Sequence, residues 1–84
     1  MDALNRIRSD IDNIDSQLIR LLAQRQYLWK RQGGWSQKDR VAQVIANRRK
    51  EALELGLSPD VAESVWRSMI QAFIALEEKV NKEH

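Results

Sequence analysis

Residues 4–28 read LNRIRSDIDNIDSQLIRLLAQRQYL, and this stretch decides the fold. Leu4, Ile7, Ile11, Ile14, Leu18, Leu21 and Leu28 fall at intervals of 3, 4, 3, 4, 3 and 7. Apolar residues spaced by three and four form a heptad seam, which runs down one side of a helix and demands a partner helix. The first strong breaker is Gly33-Gly34, so the spacing predicts one helix from residue 4 to about residue 32. At 1.5 Å per residue such a helix spans ~43 Å.

Working outward, Asp39 is a fair N-cap for a second helix, whose stripe is Val41, Ile45, Ala52 and Leu55. Gly56 is a C-terminal stop, and Ser58-Pro59 joins an N-cap to a proline at the first helical position. A third helix carries Ala62, Val65, Met69, Ala72 and Leu76 on one stripe, with Trp66, Ile70, Phe73 and Val80 on an adjacent one. No segment alternates with a period of two, and neither repeats nor low-complexity segments occur. The expected class is therefore all-α: one long and two shorter helices in a single domain over residues 1–84. Two short helices cannot cover a seam of ~43 Å. An intertwined homodimer with its long helices antiparallel supplies the missing cover.

Composition narrows the chemistry. Fourteen Lys and Arg against twelve Asp and Glu give a formal charge of +2, with the two signs interspersed, which argues against a nucleic-acid partner. There is no cysteine, and the single histidine is His84, so disulfides, thiolate sites and ordinary histidine metal sites are all excluded and no cofactor is expected. No apolar run reaches the ~20 residues of a membrane span. Met1-Asp2-Ala3 does not open a secretory signal, so a cytoplasmic setting is expected.

Two charges stand where apolar residues belong. Arg25 lies on the seam between Leu21 and Leu28, and Glu77 continues the stripe Trp66, Ile70, Phe73. A buried charge is costly unless compensated. For Arg25 a buried ion pair or a snorkelling side chain is the plain alternative, and for Glu77 an exposed position on a fraying helix end. Arg8 sharpens the case. It lies beside the seam 17 residues before Arg25, ~25 Å away along one helix, so the two cannot hold one small ligand within a chain. If two copies cross antiparallel near residues 16 and 17, Arg8 of one lies beside Arg25 of the other. Two equivalent arginine pairs result, each able to grip a carboxylate.

The run Ile7-Arg8, Ile11-Asp12, Ile14-Asp15, Leu18, Leu21-Leu22-Ala23-Gln24-Arg25 resembles the opening helix of the all-helical chorismate mutases. Asp39-Arg40-Val41-Ala42, then Leu55-Gly56-Leu57-Ser58-Pro59, then Trp66 to Glu77, are similar to the rest of that fold, so the resemblance covers nearly the whole chain. It implies an intertwined dimer that rearranges chorismate to prephenate, with Arg8 (in trans) and Arg25 on the substrate carboxylates and Arg40 assisting. It also implies that Glu77 hydrogen-bonds the ether oxygen of the breaking bond. The family's usual loop lysine, eleven residues after the second arginine, is replaced by Ser36 in a shorter connection; Lys38 is the substitute candidate, with Lys30 behind it. Valine at 41, where several mutases carry glutamate, together with Phe73-Ile74-Ala75, is similar to the related isochorismate-pyruvate lyases and puts Val41 and Phe73 among the substrate-binding candidates.

The reaction so implied is intramolecular and pericyclic. It needs no nucleophile, metal or redox group, only a held conformer and donors at the ether oxygen. Two readings compete with the mutase: a lyase on the same fold making salicylate and pyruvate, and a non-catalytic helical module with Trp29 and Trp35 as a partner patch.

Overall fold

The computed structural model describes residues 2–31 and 40–82. Within them lie three helices, α1 (Asp2–Arg31), α2 (Val41–Leu55) and α3 (Pro59–Lys82), and no strand. The all-α reading with one long and two shorter helices is what the chain adopts. The Gly33-Gly34 break and the Asp39 cap lie outside the described residues.

α1 has 30 residues, ~45 Å of helix. Asp2 stands in its first turn and Lys30 and Arg31 in its last, the signs that its dipole favours. None of its residues is buried, and the seam residues Leu4, Ile7, Ile11, Ile14, Leu18, Leu21 and Leu28 are 50 to 59% exposed. Most helical stability in proteins comes from packing an apolar face, so this seam states an unmet demand. A straight helix drifts ~20° per heptad against a seven-residue repeat. By the third heptad the seam residues Leu21 and Leu28 have therefore turned aside from a second face. That face carries Leu22 and the half-buried Arg25, Gln26 and Trp29. Arg25 borders both faces.

The turn between α2 and α3 is built by Gly56, at φ 80°, in the left-handed region that a side chain would strain. Its N–H donates to the Leu53 carbonyl at 3.4 Å, and the Leu57 N–H donates to the Ala52 carbonyl at 2.8 Å. These two bonds close the helix end in the pattern that left-handed glycine permits. Ser58 Oγ accepts from the Val61 N–H at 3.3 Å, and Pro59, lacking an N–H that would go unpaired, begins α3.

The α2–α3 hairpin buries Ile45 and Ala52 against Ala62 and Ile70. Three apolar positions depart from the expected stripes. Leu55 is 79% exposed because it is the last residue before the glycine cap, and Val65 and Ala72 face outward. The inward face of α3 is centred on Ala62, Trp66, Ile70, Phe73 and Glu77, and Val65 stands roughly 100° round the helix from Trp66. The Val80 side chain lies outside the described residues. No helix among the described residues is long and apolar enough to cross a membrane.

Candidate functional site

The register of the hairpin fixes which residues share its open end. Arg48 of α2 lies over the ring of Trp66 on α3, 6.0 Å from its centre. The helices run antiparallel from a short turn, so equal steps away from this pair stay level. Three residues out, Ile45 is level with Met69; seven residues out, Val41 is level with Phe73. Arg40 precedes α2 at φ −109° and ψ −2°, without a side-chain cap bond, and Glu77 stands one turn beyond Phe73. Val41, Phe73 and Glu77 are half-buried and Arg40 is exposed. Four of the candidate residues therefore gather at one end of one hairpin: a cation, a carboxyl group and two apolar side chains.

The cations of α1 are kept apart. Arg8 is exposed and Arg25 half-buried, with 17 residues and ~25 Å of rigid helix between them. Partial burial pushes the Arg25 guanidinium below its usual range, because the charged form loses hydration. It remains a cation at any physiological pH. Lys30 is exposed in the last turn of α1, and Lys38 lies outside the described residues.

The sequence reading passes over two arginines of α2. Arg49 donates from Nη1 to Asp60 Oδ1 at 3.1 Å and to Glu63 Oε1 at 2.9 Å, and Arg67 Nε donates to Glu63 Oε2 at 2.6 Å. The hydrogen bond from Arg67 first, and then the Arg49 contact, hold Glu63 below the usual carboxylate range. The Asp60 hydrogen bond chiefly raises Arg49. Arg48 sits in the α2 stripe itself, at the 4, 3, 4 spacing Val41, Ile45, Arg48, Ala52, and that spacing is the signal that could have found it.

Comparison with known proteins bears on these positions. The family model for chorismate mutase type II matches residues 7–78, a span that holds every candidate from Arg8 to Glu77. The T-protein of Enterobacter agglomerans is 36% identical over 76 residues, an alignment covering 81% of this chain and 20% of that relative. The chain thus spans about a fifth of the length of the curated relative it matches. No solved structure gives a significant match.

Proposed function

We propose that the chain, which belongs to the chorismate mutase type II family, performs the isomerisation that names that family in two equivalent sites, each shared between two copies of the chain. The observation that carries this reading is the state of α1. Its heptad seam is at least half exposed along its length, and Arg25, on the edge of that seam, is half-buried while Arg8 stands ~25 Å away. A second copy laid antiparallel on the seam buries the leucines and isoleucines. It also brings its own Arg8 to Arg25, which one chain cannot do.

In such a site the two arginines grip the carboxylates of chorismate as planar, bidentate donors. Arg40, opening α2, adds a third cation, and Val41 and Phe73 form the apolar wall that presses the substrate into its compact reactive conformer. Holding that conformer converts a rare geometry of the free molecule into the bound one. The carbon–oxygen bond of the ether breaks as the new carbon–carbon bond forms, within one molecule and without a net proton change. Negative charge grows on the ether oxygen in the transition state. Glu77 hydrogen-bonds that oxygen, and Lys38 is the second donor, with Lys30 its alternative. A cytoplasmic setting suits a cysteine-free chain of this chemistry.

The experiment mixes the full chain with chorismate and, separately, with isochorismate, following prephenate, salicylate and pyruvate. Prephenate from chorismate is expected. Salicylate and pyruvate from isochorismate, without prephenate from chorismate, would make the chain a lyase instead. A folded dimer that turns over neither would sink the catalytic reading.

A further inference from the structure

Arg48 occupies the middle of the inward stripe of α2, between Ile45 and Ala52, where an antiparallel helix pair ordinarily places a leucine. The choice is costly. Its Nε is buried without a hydrogen-bond partner among the described residues, and its ion pair to Glu51 is long, at 3.5 Å. A residue that breaks a local packing rule in a folded chain is a candidate for work other than stability. What the guanidinium gains is a directional contact, its centre lying over the Trp66 ring at 6.0 Å. An aliphatic side chain has no preferred seat on an indole face, whereas a cation is drawn toward the ring centre.

We propose that Arg48 is a positioning residue for the reaction: with its cation over the Trp66 ring, it holds the register of α2 against α3 and so keeps Arg40 and Val41 level with Phe73 and Glu77. The inference rests on the mutase reading of that end of the hairpin. The lever is short and stiff. Val41 lies seven residues, ~10 Å, from Arg48 along one unbroken helix, and Phe73 lies seven from Trp66 along the other. Any slip between Arg48 and Trp66 therefore reappears undiminished at the site. The rim contacts of Arg49 with Asp60 and Glu63 resist splaying of the hairpin, but they are partly exposed.

The test uses Arg48→Leu and Arg48→Lys in the full chain. Arg48→Leu completes the apolar stripe and removes the orphaned Nε, so its Tm is unchanged or raised. Its kcat falls roughly ten- to a hundredfold, the scale expected for misplacing a catalytic group by about 1 Å, while KM changes by less than about twofold. Arg48→Lys keeps the cation over the ring and restores most of kcat. Register is read separately. The chain has no cysteine, so Ala42→Cys with Ala75→Cys, both exposed, gives one spin-labelled pair per chain, measured after dilution with unlabelled protein. The label distance should be narrow when Arg48 is present and broadened or displaced in the Arg48→Leu variant. An unchanged distance or an unchanged kcat in Arg48→Leu overturns the proposal. So does a fall in kcat that merely follows a fall in Tm. If the unsubstituted chain makes no prephenate, the mutase reading has failed, and the label distance still decides the register.

Discussion

Arg49 on α2 donates to Glu63 on α3 at 2.9 Å, and this bond ties together two helices that share few large buried side chains. Glu63 is held below the usual carboxylate range by Arg67 and Arg49, so its contribution to stability is complete above the usual range and is lost as pH falls through its lowered value. Glu63→Gln should reduce Tm modestly at neutral pH and flatten its decline in acid. Both partners are partly exposed, so salt should shrink the difference. Thermal unfolding of the two proteins from pH 7 to pH 2 measures it, and parallel curves would deny Glu63 any role in the acid response.

The seam of α1 makes a second prediction. Ile14 and Leu18, 55 and 51% exposed, flank the proposed crossing point of two copies. Leu18→Glu should leave the chain monomeric in sedimentation and reduce its helical circular dichroism, because α1 loses the face that stabilises it. The unsubstituted protein should show a Tm that rises with concentration, as association requires. A concentration-independent Tm with full helicity would mean that α1 stands alone.

How much is legible in the sequence follows from where the information lies. The heptad of α1, the Gly56 stop and the Ser58-Pro59 start are local signals, decided by backbone chemistry within a few residues, and the helices adopt them. The inward face of α3 is not decided locally, since Val65 and Ala72 are as apolar as their neighbours and only the direction of α2 chooses between the two stripes. Arg48 and Glu63 are invisible as contacts for the same reason: their partners, Trp66 and Arg49, lie 14 or more residues away. Arg25 and Glu77 are legible because a charge on an apolar stripe needs no partner to be noticed.

Arg25→Leu separates catalysis from assembly. Leucine at 25 repairs the seam, so the dimer should be at least as stable as before. Turnover should fall by about 10² to 10³, the cost of removing one strong donor from a preorganised site. Sedimentation and prephenate formation, measured on the same sample, check both halves. A stabilised dimer with intact turnover would return Arg25 to the role of a snorkelling surface residue.

Glutamine at 77 keeps a hydrogen-bond donor at that place, whereas alanine removes the side chain's polar group altogether. Glu77→Ala should lower turnover by about 10² to 10³, and Glu77→Gln should retain most of it, as prephenate formation measures. The half-buried position of Glu77 on the inward face of α3 motivates the test. Equal turnover in Glu77→Ala and the unsubstituted protein would remove Glu77 from the chemistry.

The sharing of sites between copies can be tested by mixing two inactive variants. Arg8→Ala and Arg25→Ala each lack one arginine, and alone each should be inactive in both sites of its dimer. In a mixed dimer the defects fall together: one site loses both arginines, and the other takes intact Arg8 from one chain and intact Arg25 from its partner. Random exchange makes half of all dimers mixed, so equal mixing should restore about a quarter of the unsubstituted activity, as two-fold symmetry dictates. If both arginines acted within one chain, every site in the mixture would still lack one of them, and mixing would restore nothing. The ~25 Å between Arg8 and Arg25 along α1 already weighs against that second outcome, because no arginine side chain reaches across such a gap.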